Sequence, residues 1–341
     1  ITLASGVNTL TSTQYTNALA SKITNTGLTV TAVADQATAL SLAADSHIAT
    51  VTLTGTPVFT QSYADFTAAA NTAALAKISN LSSADLTVTG VTSATTASAL
   101  AADTNVDHIT LANGVTSFTS AQYTNALASK ITNTGLSVTA VADQATALSL
   151  AADSHVAGIT LTGTPAFTQT YAQFTAAGNA TALAKITNLA SADFAVTEVA
   201  SAANASALAA DTNIDRITLA SGVNTLTSTQ YTNALASKIT NTGLSVTAVA
   251  DQTTALSLGA DSHIATVTLT GTPSFTQSYA QFTAAGNATA LAKISNLGAA
   301  DFTVTGVASP ADALSLAANT NIDHITLSGV NSLTSTQYTN A

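Results

Sequence analysis

Cysteine, methionine and tryptophan are absent from this 341-residue chain, and glutamate occurs once, at Glu198. Without cysteine there is no disulfide framework, no thiol nucleophile and no thiolate site for zinc or an iron–sulfur cluster. Charge is scarce as well: 7 Lys and Arg against 17 Asp and Glu, a net charge of -10, and 7% charged residues in all. An ordinary globular protein carries about 25%. Seven dispersed cations cannot neutralise a run of phosphates, so no nucleic-acid partner is expected. No apolar run reaches the roughly 18 residues of a membrane span, and no cationic leader opens the chain, so membrane insertion is not expected. Ala, Thr, Ser, Asn, Leu and Val make up the bulk. With 46% hydrophobic residues, mostly small, the chain can still bury a core, which argues against disorder.

The architecture is written in a repeat. ITLASGVNTLTSTQYTNALASKITNTGL begins at Ile1 and returns almost verbatim at Ile217; a close variant begins at Ile109 and a shorter copy at Ile325. Successive starts are 108 residues apart. The expected organisation is repeat 1 over 1–108, repeat 2 over 109–216, repeat 3 over 217–324 and the start of repeat 4 over 325–341, one continuous array that reads as an excerpt of a longer chain. Each repeat has two related halves: Ile1-Thr2-Leu3 is echoed by Val51-Thr52-Leu53, and Leu40–Asp45 by Ala99–Asp103.

Short β-branched runs with period two, Leu28–Val33, Val51–Thr54 and Leu86–Thr89, read as strands. Ser12–Ile23, Gln36–Ala44 and Gln61–Ile78 read as helices. The first places Tyr15, Ala18, Leu19 and Ile23 on one face, between a capping-box-like Thr11-x-x-Gln14 and Gly27. Rungs of 27, 23, 35 and 23 residues then predict an α/β repeat solenoid, a parallel β-sheet on one side and short helices on the other. Small side chains would let stacked helices approach toward the closer strand spacing. The alternative is a tandem array of Ig-like β-sandwiches, which the repeat length also allows.

Few residues suggest chemistry. His47, His155 and His263 share one repeat position, and His108 and His324 another, where the middle repeat has Arg216. No nucleophile, base and orienting group accompany them, so no catalytic residue and no enzyme activity are expected. A His beside a helix end and an Asp in the following turn is the plainer reading. Calcium is the one cofactor considered. Helix-to-strand turns would gather Asp45, Asp85, Asp103 and Asp107, with Asn80 and Asn105 and copies such as Asp153, Asp211 and Asp261, along one edge. The recurring Lys22, Lys77, Lys130, Lys185, Lys238 and Lys293 are expected to cap carbonyls of their own helices. Tyr15, Tyr63, Phe59 and Phe66 are expected between helices and sheet. Of the sequons at Asn80, Asn179, Asn204 and Asn287, only Asn179 and Asn287 share a repeat position, and the set reads as chance.

Threonines in T-x-T pairs, Thr29 and Thr31, Thr52 and Thr54, Thr87 and Thr89, put hydroxyls on the sheet face away from the helices. Such an array resembles the ice-binding face of β-solenoid antifreeze proteins. Thr is also simply a good strand residue that forms cross-strand ladders.

The alternation of A-L-A-x-K-I, G-L-x-V-T-A-V, A-L-x-L-A-A-D-S-H-I and T-L-T-G-T-P resembles the repeats of large secreted bacterial surface proteins. These are the RTX-type adhesins and S-layer-like proteins exported by type I secretion. The calcium nonapeptide G-G-x-G-x-D is missing, so no calcium site carries over from that resemblance. What the resemblance implies is an extracellular or cell-surface structural segment, a stalk, filament or surface layer, that mediates adhesion or matrix assembly. Self-association, lateral or end to end, and contact with a cell surface or extracellular matrix are the partners expected of an uncapped, weakly charged array. An ice-binding or other surface-binding solenoid using the T-x-T array is the alternative.

Overall fold

The computed structural model describes residues 1–330, 332–335 and 338, so the start of the fourth repeat, 325–341, lies partly outside the described residues. The fold is an α/β repeat solenoid built from three-stranded parallel sheets and short helices. Two compact units divide the chain: residues 1–163 with 181–188, and residues 164–180 with 189–341.

The first unit holds three sheets, each with its strands in chain order. They are Thr9–Thr11, Leu28–Val33 and Ile48–Leu53; then Val58–Ser62, Asp85–Val91 and His108–Leu111; then Ser117–Thr119, Leu136–Val141 and Val156–Leu161. The second unit repeats the pattern from Ala166–Thr170 to His324–Leu327. Among the described residues every strand pairing is parallel, as in Thr9 against Thr29 and Val30 against Val51. An Ig-like sandwich is antiparallel, so that alternative is overturned. Parallel neighbours need a crossover, and the helices supply it. Asp35 starts the helix Gln36–Ala44 by accepting from the Thr38 N–H at 2.9 Å, and Asp143 and Asp251 do the same one and two repeats on.

Leu28, Val30 and Val33 point inward and are buried, while Thr29 and Thr31 alternate outward. Ala39 and Ala43 of the helix seal that core. Small residues do set the helix spacing: a β-carbon on Gly259, in Gln252–Ala260, would lie 2.6 Å from the Ala290 carbonyl oxygen of the neighbouring helix Ala285–Ala292. Each long middle strand ends in a bulge. Val30 pairs with Val51 and Val33 with Leu53, so three steps on one strand match two on the next. The extra residue, Ala32, takes a φ of 59°.

Four expectations change. The sheet is not continuous: the turn after Leu53, with Gly55 at φ 67° and Pro57, bends the chain into the first strand of another sheet. Two strands were missed, Thr9–Thr11 and Val58–Ser62, the first being only 3 residues long. The helix expected over Ser12–Ile23 shrinks to Asn17–Ala20, because Thr11 and Gln14 close a turn instead: the Thr11 N–H donates to Gln14 Oε1 at 2.8 Å. The helix expected over Gln61–Ile78 begins at Tyr63 and breaks at Ala68, whose ψ of 132° is extended.

Candidate functional site

A four-residue segment, Lys-Ile-(Thr or Ser)-Asn, recurs six times and joins one coil to the coil before it. In the copy at Lys77–Asn80, Ile78 forms a parallel bridge to Val51. The Val51 N–H donates to the Lys77 carbonyl at 2.8 Å, and the Ser79 N–H returns a bond to the Val51 carbonyl at 2.9 Å. Ile78 itself is buried. The Ser79 and Thr52 hydroxyls meet at 3.2 Å.

Asn80 extends the ladder with its side chain. Its Oδ1 accepts from the Leu53 N–H at 2.8 Å, and its Nδ2 donates to the Leu53 carbonyl at 3.1 Å. A carboxamide carries the same donor and acceptor as a peptide group, so it can stand where strand backbone would. Asn25, Asn133, Asn188, Asn241 and Asn296 accept in the same way from Leu3, Leu111, Leu161, Leu219 and Leu269. Asn80 was expected at a calcium edge; it is a ladder residue instead. Its sequon amide is thereby engaged, and so are those of Asn179 and Asn287, which pair with the buried Gln169 and Gln277.

Lysine completes the clasp. Lys77 Nζ donates to the Asp45 carbonyl at 3.0 Å, Lys130 to that of Asp103 at 2.6 Å, Lys185 to Asp153 at 2.9 Å, Lys238 to Asp211 at 2.6 Å and Lys293 to Asp261 at 2.7 Å. The expected cap on the lysine's own helix is therefore corrected. The lysine follows the helix end, and its long side chain reaches the preceding turn.

Most of the acidic residues considered as calcium ligands accept hydrogen bonds from protein donors. Asp45 Oδ2 accepts from the Tyr15 hydroxyl at 2.8 Å, and its Oδ1 from the His47 N–H and ring Nδ1 at 2.9 and 2.8 Å. Tyr123, Asp153 and His155 repeat this arrangement, as do Tyr231, Asp261 and His263. Asp103 and Asp211 fold back on Asn105 and Asn213. Asp107 accepts from the Leu86 N–H at 2.9 Å. Asp85 lies 3.3 Å from His108 Nε2, and its Oδ1 has no hydrogen-bond partner. At the equivalent position in repeat 2, Arg216 pairs with Asp193 at 2.8 Å. Among the described residues no three His, Asp or Glu side chains converge on a point where a metal would sit.

Burial alone would push Asp45, Asp153 and Asp261 up. The His backbone bond and the tyrosine and imidazole bonds outweigh it and hold all three below the usual carboxylate range. Burial, then the bond to Asp45, pushes the Tyr15 hydroxyl up to about 12, and Tyr123 and Tyr231 move the same way. Tyr15 and Phe59 are buried as expected, whereas Tyr63 and Phe66 are half-buried.

Thr29, Thr31, Thr52, Thr87 and Thr89 are half-buried, and Thr54 is exposed just beyond its strand. Thr9, Thr29 and Thr50 stand in one cross-strand row, but Thr60 and Thr87 align with His108, so an imidazole interrupts the hydroxyl row of that sheet. Thr31 and Thr89 direct their hydroxyls to the Leu10 and Gln61 carbonyls.

The sequence signals for the clasp were the strict Lys-Ile-x-Asn recurrence and its spacing from each Ile-Thr-Leu or Val-Thr-Leu. The buried Gln61, bonded to Asn71 at 2.8 Å, was signalled only by its inward strand parity. No protein-family model, curated protein or solved structure matches this chain significantly.

Proposed function

We propose that this chain is an extracellular structural repeat segment of a bacterial surface protein, a stalk, filament or layer that serves adhesion or matrix assembly. The observation that carries the reading is the use of its polar residues. The recurring Lys, Asn, Asp and Tyr side chains bond to neighbouring coils and turns, which spends chemically capable groups on holding the array together. A repeat that invests its polar groups this way gains resistance to local opening, a property of mechanical elements. The resemblance of its repeat phrases to secreted surface arrays supports the location.

The test is localisation of the full-length protein on intact cells, with immunogold labelling, together with cell-to-surface attachment after deletion of the repeats. Surface label and weakened attachment are expected. Intracellular label, or attachment unchanged by the deletion, would overturn the reading. A second reading, ice binding, draws on the row Thr9, Thr29 and Thr50. Thermal hysteresis in the purified protein, abolished by Thr29→Asp, is the result that would favour it.

A further inference from the structure

We propose that Asn113 is a site of spontaneous backbone-assisted deamidation, the one position where this array ages chemically. Asn113-Gly114 is the single Asn-Gly pair in the sequence. It lies in the turn that leads from the strand His108–Leu111 to Ser117–Thr119, closed by the Val115 N–H donating to the Ala112 carbonyl at 3.2 Å. The same turn recurs at Ala4–Val7 and Ala220–Val223 with Ser5 and Ser221 in place of the asparagine.

Three features of the turn favour the reaction. Both residues are exposed, so solvent base and water reach them. Among the described residues nothing bonds the Asn113 carboxamide or the Gly114 N–H. Gly114 has a φ of 90°, and the place a β-carbon would occupy is open, with nothing within 4 Å, so no side chain hinders ring closure. The contrast with the ladder asparagines is direct. Asn133 has its Oδ1 held by the Leu111 N–H at 2.7 Å, which fixes the carboxamide away from its own following peptide.

The chemistry needs only water. The Gly114 nitrogen gives up its proton to solvent base and attacks Cγ of Asn113. The bond from Cγ to the side-chain nitrogen breaks, and ammonia leaves with the proton returned from solvent. The resulting five-membered succinimide is opened by water at either carbonyl, giving aspartate or isoaspartate. Both products add one negative charge. The isoaspartate also inserts a methylene into the main chain at the turn.

The experiment is peptide mapping by mass spectrometry of the intact folded chain after prolonged incubation in mildly alkaline buffer at physiological temperature. The Asn113→Ser variant, which carries the residue of the sister turns, is treated in parallel, and so is the denatured wild-type chain. The expected result in the folded protein is replacement of amide by acid confined to Asn113. An acidic band should appear on isoelectric focusing and be missing from N113S. In the denatured chain, other asparagines are expected to lose their protection. An unchanged Asn113 amide in the folded chain, or an acidic band of equal strength in N113S, would overturn the proposal.

Discussion

Lys77 Nζ donates to the carbonyl oxygen of Asp45 at 3.0 Å, across 32 residues of sequence. The bond puts a fixed ammonium beside an acidic turn, the place a bound cation would otherwise take. A hydrogen bond from a charged donor contributes about 1.5–3 kcal/mol, less where water screens it. Truncating one such lysine, Lys130→Met for example, should therefore lower stability by about 1–2 kcal/mol, measured by urea unfolding. A midpoint unchanged by K130M would show the contact to be incidental.

Removal of calcium should change nothing. With Asp45, Asp103 and Asp107 engaged by protein donors and lysines bonded at the turns, the thermal midpoint is expected to be the same with excess chelator and with millimolar calcium. A rise of several degrees on adding calcium would reinstate the acidic turns as ligands through binding linkage.

Acid and alkali should each weaken the fold through the tyrosine–aspartate–histidine clusters. Asp45, Asp153 and Asp261 hold their protons less readily folded than unfolded. Their contribution is present above the ordinary aspartate value of about 3.9 and is lost as pH falls through the lower folded value. The tyrosines run the other way. Tyr15 titrates near 12 when folded, so its contribution is complete below the ordinary value of about 10 and is lost as pH rises toward the folded one. Tyr123→Phe should flatten the alkaline arm of a stability–pH profile; an arm of undiminished steepness would count against the cluster.

The bulge at the end of each middle strand carries a built-in cost. Ala140 and Glu198 sit at φ 56° and 55°; repeats 1 and 3 place Gly90 and Gly306 at the position of Glu198, whereas the position of Ala140 is alanine in all three, as Ala32 and Ala248. A left-handed non-glycine residue costs roughly 1–2 kcal/mol, and glycine returns about half of that as unfolded-state entropy. Ala140→Gly and Glu198→Gly should each stabilise the protein by about 0.5–1 kcal/mol. Destabilisation in denaturant melts would mean that the bulge conformation is wrong.

The period and the layer type were legible because they rest on repetition and alternation. Leu28–Val33 and Gln36–Ala44 occur as read. The misses have two physical causes, segments too short to show a period and places where a side chain bonds in place of backbone. Thr9–Thr11 is too short to show a period, and Gln61 breaks the apolar parity of its strand because its amide pairs with Asn71. The six asparagines look like turn residues until the strand they extend is seen beside them. Asp45 looks like a ligand until Tyr15 is found turned inward to meet it.

Amide hydrogen exchange at the leucines bonded to asparagine side chains tests the clasp most directly. The N–H groups of Leu53, Leu111 and Leu161, held at 2.8, 2.7 and 2.8 Å by Asn80, Asn133 and Asn188, should be protected in the native protein. Asn133→Ala should strip protection from Leu111 while leaving Leu53 and Leu161 protected. Leucine amides that exchange as freely in the native chain as in the unfolded one would contradict the stacking of coil on coil through the asparagine side chains.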